Sequence, residues 1–243
     1  MKGIWGHLVV HNESVADVCR ALESIFPICT PNPILMVHDG STQPLIDWLN
    51  VRKEIYNLKI FYNKFITVRE QRQFLLDKTP VNNWIVALDA DEKYSMAVTK
   101  ELRDCLLYKL SDKHEKTARE ANMPLVINIP HINLVRDITS WDGDAVFHSQ
   151  KIFLYVEGLH FSFDQYFTHI SCKPGNLTFE KDGTEVYSII GPKEWVLLHF
   201  ARLSPERLRW RAEHVNDPKF GNYASSAWEK PPAKIIPLDQ SRW

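Results

Sequence analysis

The first 95 residues alternate between short apolar runs and amphipathic segments, and this alternation limits the possible folds more than any other feature of the chain. Runs typical of buried strands are Ile4–Val10, Ile34–Val37, Leu58–Tyr62 and Trp84–Leu88. Segments with helical spacing follow the first three runs, at 15–26, 44–51 and 68–76. Strands that alternate with helices form a parallel sheet with helices on both faces. The sequence therefore predicts an α/β fold with a mostly parallel central sheet.

Local signals place the ends of the first helix. Ser14 is followed three residues later by Asp17, a spacing that resembles the capping box of a helix start. Pro27 has no backbone N–H and is expected to end the helix. The first helix is therefore expected to occupy residues 15–26.

The regular alternation is lost after residue 95. The later patterned segments are a helix at Thr99–Leu110, strands at Leu125–Ile129, Lys151–Val156 and Trp195–Phe200, and a helix from Ser204 to about Val215. The residues from Asn216 onward contain four prolines and are expected to be loop-like. We expect a single domain at 1–215, with halves at 1–95 and 96–215, followed by a C-terminal tail at 216–243.

Charge and cysteine content argue against several functional classes. A formal net charge of −1 provides no overall field that attracts nucleic acid or anionic lipid, so only a local basic patch could bind either of them. We expect no nucleic-acid partner. The four cysteines are far apart and lack zinc-type spacing, which is typical of reduced thiols in a cytoplasmic protein. The apolar stretch around Leu8 is too short for a signal peptide or a transmembrane segment.

Two carboxylates follow the fourth predicted strand, in the order Asp89-Ala90-Asp91. Residues two apart on a strand point to the same side, so both carboxylates would face one place at the carboxyl edge of the sheet. Like charges this close need a cation, and hard oxygen ligands suit Mg²⁺ or Mn²⁺. Such an ion would serve a substrate with a diphosphate group. The alternative is that both residues are capping or solvated loop acids.

Ordered motifs in the first half resemble those of family 2 glycosyltransferases with the GT-A fold. The motifs similar to the first-strand and second-strand motifs of that family are Val9-Val10-His11-Asn12-Glu13 and His38-Asp39-Gly40-Ser41-Thr42, with His38 in place of an Asp. The motifs similar to a bacterial lipopolysaccharide-core subgroup are Asn63-Lys64-Phe65, Gln71-Arg72-Gln73 and Asp89-Ala90-Asp91-Glu92. The second half of the chain matches the family only loosely.

This resemblance implies a nucleotide-diphosphate-sugar donor bound by the first half, with the acceptor over the second half. The donor-binding residues that it implies are Val10, Asn12, Glu13, Asp39, Lys64, Arg72, Asp89, Ala90 and Asp91. Asp39 would bind the base, and Arg72 would face the diphosphate or the acidic cluster. Each also has a structural alternative: Glu13 at the amino end of the first helix, Asp39 in a turn before Gly40, and Arg72 as a solvated helix residue.

The segment Leu197-Leu198-His199-Phe200 resembles the strand that carries a late metal-binding His in many GT-A enzymes. The resemblance implies a Mn²⁺ or Mg²⁺ site formed by Asp91, His199 and Asp89, with Asp89 also near the ribose or sugar of the donor. The alternative is that His199 is a structural residue on an apolar strand.

An inverting transfer also needs a general base to take the proton of the acceptor hydroxyl. The subgroup often has a His-Glu pair after a strand similar to Gly158-Leu159-His160-Phe161, but no His-Glu pair follows here. The nearest carboxylate to that place is Asp164. The alternatives are Asp142 and Asp144, which lie beside Trp141. Each of the three is equally compatible with a loop acid.

The sequence thus predicts a metal-dependent, inverting glycosyltransferase of hexosyltransferase type that acts on a glycan or saccharide acceptor. A nucleotidyltransferase is the alternative enzyme, although the usual glycine-rich loop is absent after the first strand, at 11–14. An Asp-x-Asp phosphatase would carry Thr or Val where Lys93 stands. A non-catalytic module that binds nucleotide sugars or carbohydrate is the remaining alternative, because the His-Glu pair is absent.

Overall fold

The structure is a computed structural model of the 243-residue chain. It describes residues 3–11, 13–64, 68–110, 114–121, 123–135, 140–142, 147–161, 177–179, 185–202 and 235–237. The helix expected from Ser204 and most of the tail lie outside these residues. None of the helices in the described ranges is both long and apolar enough to cross a membrane.

The first half of the chain forms the parallel sheet predicted from the sequence. Its strands are β1 (Ile4–Val10), β2 (Ile34–His38), β3 (Leu58–Tyr62) and β4 (Trp84–Asp89), connected by helices α1 (Val15–Cys29), α2 (Gln43–Arg52) and α3 (Val68–Asp77). The strand order is β3-β2-β1-β4, and all three pairs are parallel. The predicted succession of four strands and three helices is therefore confirmed.

Side chains that alternate along β2 show that helices cover both faces of the sheet. Ile34 and Met36 belong to the core cluster that contains Leu22 of α1. Leu35 and Val37 instead pack with Leu75 of α3, on the opposite face. Four consecutive apolar residues in one strand are the expected result of burial on both faces.

Helix α1 starts as predicted but ends later than predicted. The Ser14 hydroxyl oxygen accepts a hydrogen bond from the Asp17 backbone N–H at 3.1 Å, as expected of a helix cap. The helix continues through Pro27 to Cys29, so the prediction that Pro27 ends it was wrong. Pro27 removes one hydrogen bond near the end of the helix, and the burial of Ile28 and Cys29 holds the last turn in place.

The second half extends the sheet with mixed pairing. Its elements are β5 (Glu92–Tyr94), α4 (Met96–Asp104) with a following π-helical turn (Cys105–Lys109), α5 (His114–Glu120), β6 (Leu125–Val135), β7 (Ser140–Asp142), β8 (Phe147–Leu154), β9 (Leu177–Phe179), β10 (Glu185–Ile190), β11 (Leu197–Arg202) and β12 (Ile235–Pro237). Strand β8 lies antiparallel between β4 and β6. Strand β11 pairs parallel with β6 and antiparallel with β5.

Element boundaries in this half differ from the sequence predictions. Strand β6 extends six residues beyond Ile129, and β12 lies in the tail that was expected to be loop-like. The extension of β6 includes the buried polar residues Asn133 and His131, which interrupt the apolar pattern by which buried strands are recognised. The pairing partners of β6 determine its length, and those partners are distant in sequence.

The cysteines agree with the expectation of reduced thiols in the part of the chain that is described. Cys19, Cys29 and Cys105 are free, and Cys172 lies outside the described residues. Burial raises the pKa of Cys29 well above its ordinary value, so this thiol stays protonated at neutral pH. Cys29 therefore acts as a small apolar core residue.

Candidate functional site

The carboxyl ends of the four parallel strands bring polar residues together at one edge of the sheet. In the strand register, Val10 of β1 is opposite His38 of β2, which is in turn opposite Tyr62 of β3. Asp89, the last residue of β4, is opposite Val9. The chain builds the sheet in one direction from β1 to β3 and in the other from β1 to β4. Ligands of open α/β sheets bind where the strand order reverses in this way.

His11 joins the ends of β1 and β2. Its Nδ1 lies 2.5 Å from Asp39 Oδ1 and 3.2 Å from the Asp39 carbonyl oxygen, and both atoms are acceptors, so Nδ1 donates. The His11 backbone N–H donates to the Glu13 carboxylate. The structure thus brings the predicted pocket residues Glu13 and Asp39 together through His11, for which no role was predicted. Asn12 lies outside the described residues.

Gly40 allows the chain to turn immediately after Asp39. Its φ is +117°, a conformation that side chains with a Cβ rarely adopt. The turn leaves the Asp39 side chain only 2% exposed, against the His11 ring. The expectation that Asp39 precedes a turn is correct, and the turn also places its carboxylate at the strand edge.

Asp89 is held by two cationic side chains. Arg72 Nη2, on α3, lies 2.8 Å from each carboxylate oxygen, and Lys151 Nζ, on β8, lies 2.8 Å from Oδ2. The Arg72 side chain is 12% exposed, so it is not a solvated helix residue and instead faces the acidic cluster. Burial by itself would raise the pKa of Asp89, but Arg72 and Lys151 outweigh burial and hold that pKa well below its ordinary value. Asp89 is therefore ionised at neutral pH.

Glu92 lies beneath Asp89 and closes a turn. We call residues 89–92 the acidic turn. The Glu92 carboxylate accepts the Asp89 backbone N–H at 2.8 Å and is also bound by Lys151. Burial raises the pKa of Glu92, and Lys151 opposes that rise. His131 Nε2 lies 4.0 Å from the other oxygen of Glu92. The last residue of the Asp-Ala-Asp-Glu motif thus stabilises the turn from within.

Asp91 does not extend the strand that carries Asp89. Strand β4 ends at Asp89, and Ala90 and Asp91 form a turn into β5, so the prediction of two carboxylates on one strand was wrong. Backbone bonds fix this turn: the Ala90 N–H donates to the Val9 carbonyl at 3.1 Å, and the Phe200 N–H donates to the Asp91 carbonyl at 2.8 Å. The second bond joins the acidic turn to β11.

The pairing with β11 brings His199 to Asp91. His199 Nε2 lies 3.3 Å from Asp91 Oδ2, and His199 Nδ1 lies 2.7 Å from Asn133 Oδ1. The amide oxygen of Asn133 can only accept, so Nδ1 carries a proton and, in the neutral ring, Nε2 carries the lone pair. A carboxylate oxygen and a ring nitrogen at this distance can form an ion pair or can bind one metal ion together. The side chains of Asp91 and His199 therefore suit Mn²⁺ or Mg²⁺.

Asp89 differs from that pair because its two carboxylate oxygens already contact Arg72 and Lys151. Within the described residues, no group of three or more His, Cys, Asp or Glu side chains is placed to hold a metal ion. The role of Asp89 as a third metal ligand stays a prediction.

Other predicted site residues are only partly described. Asp164 and Asp144 lie outside the described residues, and Asp142 is described only by its backbone, as the last residue of β7. The general base therefore stays a prediction. Lys64 follows β3 and is exposed, whereas Val10 is fully buried at the end of β1.

The sequence analysis did not identify three residues of this site. Lys151, His131 and Asn133 lie on β8 and β6, and their side chains join the cluster around Asp89 and His199. A signal was present in each case, since a lysine, a histidine or an asparagine within a buried strand needs a partner. The partner itself could not be read from the sequence.

No family model and no curated protein matches the chain. Solved structures do match. S. aureus TarS aligns with 94% of this chain and 41% of its own, at 13% identity and a TM-score of 0.53. TarS 1–349 in complex with UDP aligns with 94% of this chain and 68% of its own, at 14% identity and a TM-score of 0.54.

The complex of TarS 1–349 with UDP-GlcNAc gives a similar result, with 13% identity, a TM-score of 0.52 and coverage of 94% of this chain and 69% of that one. The chain has a GT-A-like fold. The chain spans about two-fifths of the length of the TarS chain. At these identities the similarity establishes the GT-A-like fold alone.

Proposed function

We propose that the chain is a glycosyltransferase that moves a sugar from a nucleotide-diphosphate donor to a hydroxyl of a glycan acceptor. The observation that carries the proposal is the grouping of Arg72, Lys151 and the acidic turn beside the His11–Asp39 pair, at the point where the strand order reverses. The same fold binds UDP and UDP-GlcNAc in TarS, which supports this class of donor.

The donor would lie with its nucleotide near His11 and Asp39 and its diphosphate toward Arg72. Asp39 is an acceptor held in place by His11, which suits an N–H of a base or a ribose hydroxyl. The guanidinium of Arg72 is oriented by Asp89, and the forked geometry of a guanidinium suits phosphate oxygens. Pre-orientation by Asp89 reduces the entropy lost when Arg72 binds the donor.

Asp91 and His199 would hold a Mn²⁺ or Mg²⁺ ion, and Asn133 orients the His199 ring for that task. When bound, such an ion would neutralise the negative charge of the departing nucleoside diphosphate. The buried acidic turn keeps the Asp91 carboxylate facing His199 through its backbone bonds to β1 and β11.

The acceptor hydroxyl would lose its proton to a carboxylate, and Asp164, Asp142 and Asp144 are the candidates for this base. Attack by the activated hydroxyl on the anomeric carbon from the face opposite the leaving group would invert the configuration. This proposal follows the resemblance of the first-half motifs to family 2 glycosyltransferases.

The test is a reaction of the purified chain with Mn²⁺ and a panel of nucleotide sugars, with UDP-GlcNAc first. Release of nucleoside diphosphate supports glycosyl transfer or donor hydrolysis. Release of pyrophosphate would instead indicate a nucleotidyltransferase, and binding without turnover would indicate a non-catalytic module. The variant Asp91→Ala should abolish release, whereas Asp47→Ala, at an exposed position of α2, should not change it.

A further inference from the structure

We propose that Lys151 is a positioning residue of the donor site: its ammonium group holds Asp89 and Glu92 together and so fixes the acidic turn that carries Asp91. The consequence for donor binding rests on the proposed function. The effect on the acidic turn itself does not depend on that function.

The contacts of Lys151 support this role. Its Nζ lies 2.8 Å from Asp89 Oδ2 and also contacts the carboxylate of Glu92. Glu92 in turn accepts the backbone N–H of Asp89, so one ammonium group and one carboxylate join both ends of the acidic turn. The Lys151 side chain is only 11% exposed, and that of Glu92 only 2%. A lysine on a strand this well covered is expected only when its charge is compensated.

The position of Lys151 in the sheet explains how it can hold the acidic turn in place. It lies on β8, one residue before Ile152, which pairs with Val86 in the middle of β4. Strand β8 also pairs with β6 at Ser149 and Ile152, so Lys151 lies between two residues of β8 that are paired with β6. The ammonium group therefore extends from a rigid strand to a turn, and rigid elements position functional groups more accurately than loops do.

Arg72 does not replace Lys151 in this role. Arg72 contacts Asp89, whereas Lys151 contacts both Asp89 and Glu92. Without the ammonium group, the buried carboxylate of Glu92 would face the carboxylate of Asp89 across the turn, and the two like charges would repel. The turn would open at Asp89, and Asp91 would move away from His199.

A matched control exists at the other end of β4. Glu115 is as deeply buried as Glu92 and contacts Arg119, and it also accepts the indole N–H of Trp84, the first residue of β4. The two ends of this six-residue strand are about 16 Å apart. The variant Arg119→Met therefore removes a cation from a buried carboxylate without touching the acidic turn.

The first measurement is amide hydrogen exchange, resolved to single residues by NMR, in the absence of any ligand. We expect the exchange of the Asp89 and Phe200 amides to accelerate at least about tenfold in Lys151→Met, but to stay within about threefold of the wild type in Lys151→Arg and Arg119→Met. Unchanged exchange in Lys151→Met, or equal acceleration in Lys151→Arg, would overturn the inference.

The second measurement is the dissociation constant of Mn²⁺ alone, and of UDP with Mn²⁺, by calorimetry. In Lys151→Met each dissociation constant should rise about tenfold or more, which is the usual effect of removing a residue that orients a metal ligand. Arg119→Met should lower the melting temperature and leave both constants unchanged. If the wild type binds neither probe, the proposed function fails, while the exchange result still decides the role of Lys151.

If Lys151→Met does not fold, Lys151→Gln serves instead. Glutamine keeps a polar hydrogen-bond donor at this position and removes the positive charge that compensates Asp89 and Glu92. Faster exchange at Asp89 in this variant supports the inference, and exchange equal to that of the wild type overturns it.

Discussion

Replacing Asn133 with leucine removes the group that orients the His199 ring. The Asn133 amide oxygen lies 2.7 Å from His199 Nδ1, and the residue is only 3% exposed, so water cannot take the place of the amide. Leucine keeps the branching at Cγ but is larger, so the variant also carries a packing cost, which a second asparagine-to-leucine variant on the same strand controls for. The ring of His199 then loses the bond that keeps its Nε2 directed at Asp91.

The magnitude follows from the hydrogen bond and its burial. A neutral hydrogen bond contributes about 0.5–1.5 kcal/mol, and losing a residue that orients a metal-binding histidine costs about 10–100-fold in metal affinity. That range corresponds to about 1.4–2.7 kcal/mol of binding free energy. We expect the loss of Mn²⁺ affinity in Asn133→Leu to lie in the upper part of this range, because Asn133 is buried away from water.

The assay is calorimetric titration of the variant with Mn²⁺. The matched control is Asn128→Leu, on the same strand β6 and equally buried, whose amide donates to the Ser188 hydroxyl away from Asp91. Asn128→Leu should lower stability and leave Mn²⁺ affinity unchanged. The reasoning would be refuted by wild-type Mn²⁺ affinity in Asn133→Leu under conditions in which Asp91→Ala no longer binds the ion.

Four further outcomes can be measured directly. Arg72→Met should weaken UDP binding at least about tenfold, whereas Arg72→Lys keeps the charge without the forked N–H donors and should retain part of the affinity. Equal UDP affinity in both variants and the wild type would contradict a contact with the diphosphate. Trp84→Phe removes the 2.6 Å bond to Glu115 and should lower the free energy of unfolding by about 1.5–3 kcal/mol in urea titrations. Burial lowers the pKa of His7 from 6.5 to about 3, so the unfolded chain binds this proton first. The contribution of neutral His7 to the free energy of unfolding is therefore complete above about pH 6.5. It falls by up to about 1.4 kcal/mol per pH unit as the pH drops toward 3. In His7→Asn, the free energy of unfolding should decline less steeply over the same pH range. Asp164→Asn should preserve donor affinity and suppress transfer, and full activity would direct attention to the other two candidate bases.

The first half of the fold could be predicted because its signals are local. Strands β1, β2 and β4 are mostly apolar, since both of their faces are buried, and the edge strand β3 is apolar except for Lys59. The start of α1 was also predicted, because the Ser14 cap depends on a residue only three positions away. Pro27 misled the prediction, since packing of the last helical turn against the sheet outweighed a local penalty.

The candidate site was predictable only in part. The family resemblance suggested Asp39 and Arg72, and strand spacing suggested Asp89. The parallel strands bring Asp39 and Asp89 to one edge of the sheet, and Arg72 contacts Asp89 from α3. Spacing also suggested that Asp89 and Asp91 act together on one strand. The structure separates them by a turn, with Asp89 bound to cations and Asp91 facing His199.

The amino-acid sequence by itself determined which segments become strands and helices in the first half, and which of them end in polar residues. Only the tertiary structure decided that Lys151 compensates Glu92 and that Asn133 orients His199. Periodicity and capping depend on neighbours within a few residues. The partner of a buried charge depends on strand order and register, which are set by the packing of the whole sheet.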